Sequence, residues 1–176
     1  MIKRIYLSLF LALSIAVTSC KNDDDSNPTN DVIEAFRADT GINAEWLIDT
    51  ALLNTVKSWQ GVGDYPGVDN WATATIPAGI DLYGGLPGQS EYYTISQTLT
   101  DADTMQTPYW QSLQVKAHDQ FGYRPMVGIF DVNQTITVAI AKTLENPQFG
   151  DGGAWQIYVE DFGVDLSVLD TVYLKQ

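Results

Sequence analysis

Apolar and polar residues follow different patterns in the first, middle and last parts of the chain. The first pattern is an apolar run over residues 5–17, preceded by Lys3 and Arg4 and followed by small residues. Basic, apolar and small segments in that order are typical of an export signal. The run is shorter than the roughly 20 residues that cross a bilayer as a helix. We therefore expect residues 1–19 to be a cleaved signal peptide rather than a single-span anchor.

The second pattern is helical spacing of apolar residues, which predicts two helices. The first covers residues 30–37, is capped by Asn30 and stops near Gly41. The second is capped by Asn43, has Glu45 in its first turn and ends at Gly61. Its apolar stripe, which we expect to face the core, consists of Trp46, Leu52, Val56 and Trp59.

The third pattern is the alternation of short β-like runs. Residues 61–75 are rich in Gly, Pro and Asn and predict a loop. Strands are predicted after it at residues 80–83, 91–94, 126–132, 135–141, 155–160 and 168–174. No long helical crossover separates them, so they cannot easily be parallel neighbours. The predicted fold is α+β, with N-terminal helices followed by a mainly antiparallel β core.

Cys20 follows Thr18 and Ser19, and this small-small-Cys ending resembles a lipobox. We expect Cys20 to be the lipidated N-terminus, residues 20–30 a polar acidic tether and residues 31–176 a single globular domain. The tether is either a plain spacer or a signal for the outer face of the outer membrane. The expected location is the outer membrane, with the lipid anchor as the membrane contact and possible exposure at the cell surface.

Composition excludes several classes of function. Cys20 is the only cysteine, so the mature domain has no disulfide, thiolate metal site or cysteine nucleophile. Loss of the two cations Lys3 and Arg4 changes the formal net charge from −13 to −15, which argues against nucleic acid as a partner. His118 is the only histidine, which excludes a multi-histidine metal site, and we expect it at the surface rather than in catalysis.

No metal site is predicted, although aspartates at 23–25 or at 101 and 103 leave calcium binding open, without EF-hand spacing. The Walker, HExxH and GxSxG motifs are absent. Serine and cysteine hydrolase chemistry is therefore unsupported.

Two glycine-rich segments are candidate site loops. Residues 76–94 contain four glycines and two prolines, which form either a cleft-lining loop or two tight turns of a meander. In residues 146–161, Gly152 and Gly153 precede a strand that carries Trp155 and Gln156. These glycine amides form either an anion-binding nest or an ordinary turn.

Arg124 lies between these segments and is one of few cations in an acidic chain. Its guanidinium can grip a phosphate or carboxylate at two points, or it can form a structural salt bridge. Both interpretations remain open from the residues alone.

Four segments in this order resemble the NAD glycohydrolase domain typified by tuberculosis necrotizing toxin, which is related to fungal surface NADases and to the C-terminal domains of polymorphic toxins. They are IPAGIDLYG at 76–84, GQSEYYT at 88–94, MVGIFDVNQTITV at 126–138 and FGDGGAWQIYV at 149–159. The resemblance covers about half of the mature chain. It implies an ADP-ribosyltransferase-like β core and NAD as substrate, without a cofactor.

The resemblance also implies roles for individual residues. Gln156 matches a glutamine at the nicotinamide ribose, and Tyr83 and Tyr92 match aromatic positions near the ring, with Gln156 and Tyr83 as the catalytic pair. Arg124 is the candidate for the diphosphate by its chemistry rather than by a motif match. Further substrate-binding candidates come from the second glycine segment, namely Gly152, Gly153 and Trp155.

Two departures from related families affect the expected reaction. Leu82 stands where the family pattern has arginine after aspartate, so either Arg124 supplies the phosphate contact from another loop or that contact is lost. The Glu-x-Glu signature of protein-modifying ADP-ribosyltransferases is absent, since Tyr158 follows Gln156 by two positions. Hydrolysis is therefore favoured over transfer to a protein.

Two other functions are compatible with the sequence. One is a non-catalytic module that binds a glycan or a protein through exposed tryptophans, namely Trp71, Trp110 and Trp155. The other is an immunity-type lipoprotein that protects its producer against a rival's toxin.

Overall fold

The computed structural model describes residues 28–120 and 122–176. The predicted signal peptide, Cys20 and the tether up to residue 27 lie outside these residues. The helices are α1 (Pro28–Thr40), α2 (Thr50–Ser58), α3 (Ser96–Asp101), α4 (Gln106–Ser112) and α5 (Phe162–Asp165). The strands are β1 (Glu45–Leu47), β2 (Ala72–Ile76), β3 (Asp81–Leu86), β4 (Tyr92–Thr94), β5 (Met126–Val132), β6 (Ile136–Lys142), β7 (Trp155–Tyr158) and β8 (Leu166–Tyr173).

Within the described ranges, eight strands form one sheet in the order β1-β2-β6-β7-β4-β3-β5-β8, and every neighbouring pair is antiparallel. The predicted mixed α+β fold with a mainly antiparallel sheet is therefore confirmed. The finer expectation of an ADP-ribosyltransferase-like core stays a prediction.

Helices cover both faces of this sheet. On one face, Ile33 and Phe36 of α1 pack into the main core with alternate residues of the central strands. On the other face, Leu52 and Val56 of α2 form a second cluster, and the α3–α4 segment forms a third around Tyr109. The sheet thus separates a closed face under α1 from a face whose helical cover is divided in two.

Trp155 ties α1 to the centre of the sheet. Its ring meets the edge of Phe36 at a centroid distance of 5.2 Å, and its indole N–H donates to Asp39 Oδ2 at 3.0 Å. Lys142 of β6 pairs with the same carboxylate at 3.2 Å and lies over the indole ring. The hydrogen bonds that Lys142 and the Trp155 indole donate to Asp39 hold the pKa of its carboxyl below the ordinary value.

The N-terminal elements differ from the sequence prediction. We expected a helix cap at Asn43, but β1 pairs with β2 there, and the helix begins only after Asp49. The Asp49 side chain accepts the amide of Leu52 at 3.0 Å and is the actual N-cap. As a result Trp46 lies in a strand, and Trp59 is 63% exposed rather than buried in the core.

Two further boundaries need correction. Asn30 is not a cap, because α1 already begins at Pro28 and the Asn30 side chain donates to Glu34 at 3.1 Å within the helix. The segment 61–75 is not a loop throughout, because β2 starts at Ala72 and pairs with β6 along its whole length. The six predicted strands all form, and Met126–Val132 has the predicted bounds.

Truncating Phe36 to alanine should leave a cavity against Trp155 and lower the free energy of unfolding by about 3–5 kcal/mol. Urea denaturation followed by circular dichroism measures this change. The matched control is Val164→Ala, because Val164 is 72% exposed and its truncation should cost less than about 0.5 kcal/mol. Equal stabilities of the two variants would contradict the placement of α1 in the core.

Candidate functional site

A cleft of about 620 Å³ opens on the divided face of the sheet, between the α2 side and the α4 side. Gln156 of β7, Tyr92 of β4 and Tyr83 of β3 lie along it, and Arg124 borders it from the loop before β5. The structure therefore brings together four of the residues that the sequence analysis selected. Their roles stay predictions.

Gln156 reaches the cleft through the alternation of β7. Trp155 and Ile157 point into the core under α1, so the side chains of Gln156 and Tyr158 lie on the opposite face. Gln156 is paired in register with Ala141 of β6, a small residue that leaves space beside it. Among the described residues, no side chain or backbone group hydrogen-bonds the Gln156 carboxamide, which leaves it available to a ligand.

Two half-buried tyrosines border the same cleft as this glutamine. The Tyr92 ring packs edge-on against Tyr158 at 5.3 Å, and burial raises the pKa of the Tyr92 hydroxyl to about 12. Burial, with a smaller contribution from Asp81, also raises the pKa of Tyr83. Both hydroxyls are therefore protonated at neutral pH and can donate hydrogen bonds but cannot act as bases. The two rings form aromatic walls of the cleft.

Arg124 lies against the backbone of β3 at Gly85. A Cβ atom at Gly85 would stand 2.8 Å from Arg124 Cδ and 2.7 Å from the Trp110 ring, so only glycine fits here. The Trp110 indole N–H donates to the Arg124 carbonyl at 2.8 Å and holds the loop in place. Arg124 Nη1 donates to the Gly85 carbonyl at 3.4 Å, and in the part of the chain that the structure describes Arg124 forms no salt bridge.

The opposite wall is built around Asp69, which is buried. Its carboxylate accepts Gln60 Nε2 at 2.7 Å and the Leu144 amide at 2.8 Å, and Gln60 Oε1 accepts the Trp71 indole N–H. Burial raises the pKa of Asp69, although these hydrogen bonds oppose the shift. With both oxygens engaged, Asp69 holds the wall together.

The cleft mouth is bridged by an exposed ion pair. Lys116, from the segment after α4, meets Asp64, from the segment after α2, at 2.8 Å. His118 borders the cleft on the same loop, is exposed as predicted, and accepts the Gln120 amide at Nδ1. The mouth is thus polar, whereas the inner walls are aromatic.

The second glycine segment does not join this site. A Cβ at Gly152 would fall 2.2 Å from the Leu144 carbonyl oxygen, and Gly153 donates its amide to the Thr143 carbonyl at 2.8 Å. These residues border a separate hollow with Trp155 and Asp39. The structure therefore does not bring Gly152, Gly153 and Trp155 to the cleft that Gln156 borders, and their proposed role stays a prediction.

The tryptophans expected to be exposed are buried. Trp71, Trp110 and Trp155 are 1%, 4% and 6% exposed, because each packs into one of the three hydrophobic clusters. This fold therefore does not present these three rings as an exposed binding surface for a glycan or a protein.

Sequence reasoning missed the wall formed by α4. Tyr109 and Trp110 border the cleft from a helix of only two turns that the periodicity did not predict, and Gln114 borders it from the residues directly after that helix. The signal was present in the spacing of Tyr109, Trp110 and Leu113, which all face one cluster. Asp69, in the segment assigned to a loop, and Gln60, just before that segment, were also missed.

Metal ligands and membrane helices were sought over the described ranges. Residues 28–120 and 122–176 contain no group of three or more His, Cys, Asp or Glu side chains placed to hold a metal ion. The same ranges contain no helix of the length and apolarity needed to span a bilayer.

Comparison with known proteins places the chain in a family. The Rhs1 C-terminal toxin domain matches residues 49–161, which include the cleft residues described above. The structure of Rhs1-CT in complex with its cognate immunity protein RhsI1 is similar, with 31% identity and a TM-score of 0.69 over 73% of this chain and 100% of that chain. Tse6, in its complex with Tsi6, gives 17% identity and a TM-score of 0.44 over 81% of this chain and 94% of that one. No curated protein matches. The chain belongs to the Rhs1 C-terminal toxin domain family.

Proposed function

We propose that this toxin-family domain hydrolyses NAD at the bond between nicotinamide and ribose. The proposal is carried by the carboxamide of Gln156, which has no hydrogen-bond partner among residues 28–120 and 122–176 and lies in an aromatic cleft that Tyr83 and Arg124 also border. The cleft volume of about 620 Å³ lies within the range of roughly 300–1,000 Å³ that is usual for small-molecule sites.

Cleavage of the bond between nicotinamide and ribose needs little acid or base catalysis from the protein. The pyridinium ring of NAD leaves as neutral nicotinamide, so no proton has to be supplied to the leaving group. The C–N electron pair departs with nicotinamide, the ribose becomes oxocarbenium-like, and water adds to give ADP-ribose and a proton. The group needed is one that stabilises developing positive charge.

Gln156 suits that role. A carboxamide oxygen is the negative end of a dipole, and a dipole fixed in a half-buried cleft is worth more than one in water. The neutral Tyr83 and Tyr92 side chains exclude water from the ring and offer a π face to the developing cation. Arg124 presents a guanidinium to the diphosphate from the loop before β5, with no competing ion pair among the described residues.

A surface location and a protein partner belong to the same proposal. We propose that Cys20 carries the lipid that holds the domain at the outer membrane, outside the producer's own NAD pool. The relative Rhs1-CT is described in complex with a cognate immunity protein. By likeness, we propose an immunity protein as the partner of this chain.

Replacing Gln156 with alanine should reduce the rate of nicotinamide release from NAD by a factor on the order of 10²–10³, because the stabilising dipole is lost. The purified protein is incubated with NAD and the nicotinamide is quantified by chromatography. Gln148→Ala, at an exposed glutamine outside the cleft, is the matched control and should keep the wild-type rate. The hydrolase proposal fails if the wild type shows no turnover or if Gln156→Ala is as active as the control.

Replacing Arg124 with alanine should raise the KM for NAD by about tenfold or more, since a charge-assisted contact to the diphosphate disappears. Initial rates over a range of NAD concentrations measure KM and kcat separately. Lys57→Ala removes an exposed cation of α2 and should leave both constants unchanged. An unchanged KM in Arg124→Ala would remove Arg124 from the substrate site.

Replacing Cys20 with serine should abolish incorporation of labelled palmitate and release the protein from the membrane fraction. The test is unambiguous because the chain has no other cysteine. Labelled lipid that persists in Cys20→Ser would refute the anchor.

A further inference from the structure

Two buried polar atoms border the cleft without a hydrogen-bond partner in the described part of the chain. They are the hydroxyl of Tyr109 and the Nε2 of Gln114, whose residues are 0% and 7% exposed. Most buried polar groups in folded proteins are hydrogen-bonded, so each exception calls for an explanation. Here both exceptions belong to one wall of one cavity.

The backbone at Gln114 adds an independent observation. The Gln114 amide donates to the Gln111 carbonyl at 3.1 Å, and the Val115 amide donates to the Trp110 carbonyl at 2.9 Å. This pair of bonds ends α4 as a Schellman motif, in which the residue at the position of Gln114 has a positive φ and is usually glycine. Gln114 occupies this position with φ +56, so the backbone is strained at a residue that carries a long amide side chain.

The wall that carries these two groups is rigid. Trp110, between them in sequence, is anchored to the Arg124 carbonyl, and the hydroxyl of Thr143 donates to the Ser112 carbonyl at 2.7 Å. The Tyr109 and Trp110 rings pack edge to face at 4.8 Å. Burial raises the pKa of Tyr109, so its hydroxyl remains a donor at neutral pH.

We propose that Tyr109 and Gln114 form a subsite that recognises the carbonyl oxygen of a planar ring, which for NAD is the carboxamide of the leaving nicotinamide. This inference rests on the proposed function. An amide N–H and a phenol O–H are both donors, and an acceptor oxygen satisfies both. Trp110, Leu113 and Tyr83 line the same cavity and supply the apolar and aromatic surface that suits a ring.

The chemistry of the wall favours a neutral acceptor over an anion. Tyr109 and Gln114 are uncharged and buried, and their apolar surroundings would raise the cost of holding a full charge. A site whose buried donors need an acceptor discriminates strongly against a ligand of the same shape that lacks one.

The test compares three pyridines of similar shape as ligands of the purified protein. Nicotinamide and 3-acetylpyridine carry a carbonyl at the same ring position, and 3-ethylpyridine does not. Binding is followed by tryptophan fluorescence, which does not depend on turnover. We expect the wild type to bind each carbonyl compound at least about tenfold more tightly than 3-ethylpyridine.

Two variants locate the preference. Tyr109→Phe keeps the ring and removes the hydroxyl, and Gln114→Gly removes the amide and relieves the positive-φ strain, so this variant should not unfold more easily than the wild type. Each should reduce the preference for the carbonyl compounds several-fold. Tyr173→Phe and Gln148→Ala change exposed residues of the same types and should keep the wild-type preference.

NAD turnover measured in parallel separates this inference from the proposed function. Turnover without any carbonyl preference in the wild type, or a preference that both variants retain, overturns the subsite and leaves the hydrolase proposal standing. A preference lost in the variants in the absence of turnover supports the subsite and rejects NAD hydrolysis. Absence of both turnover and pyridine binding overturns both.

Discussion

The two-residue alternation of β7 is the constraint on which the arrangement of this domain depends. Trp155 and Ile157 are committed to the core under α1, and this commitment places Gln156 on the other face. A shift of one residue in the pairing of β6 with β7 would bury the carboxamide and expose the indole. The contact between Trp155 and Phe36, on the α1 face of the sheet, therefore fixes the side chain of Gln156 on the cleft face.

The divided cover on the cleft face follows from the same sheet. α2 packs over β2 and β6, whereas α4 packs near β3 and β5, and β7 and β4 lie between these pairs in strand order. The central strands are thus left without a helix above them, and the gap is the cleft. Glycine at position 85 lets Arg124 and Trp110 approach β3 closely, which brings the α4 wall inward.

Sequence reasoning worked where one signal dominated. Alternation over residues 135–141 and the apolar run at Met126–Val132 predicted strands, and the family resemblance over residues 149–159 selected Gln156, which does reach the cleft. It failed where signals competed locally. Asn43 and Asp49 are both good caps, and only the pairing of β1 with β2 decides between them. Such pairing joins residues distant in sequence, which a local pattern does not record.

The glycines show the same limit. Gly85 and Gly152 both stand in glycine-rich segments, but one makes room for a guanidinium and the other for the Leu144 carbonyl. Composition alone gives them equal weight as site residues. Their different surroundings become visible only when α4 and the segment after β6 are in place, and the sequence pattern predicted neither contact.

The start of α1 at Pro28 has a mechanical consequence under the proposed lipid anchor at Cys20. Eight peptide units span at most about 28 Å, so with that anchor the first turn of α1 would stay within this distance of the bilayer surface. A tether this short would keep the whole domain close to the lipid without any further contact with it.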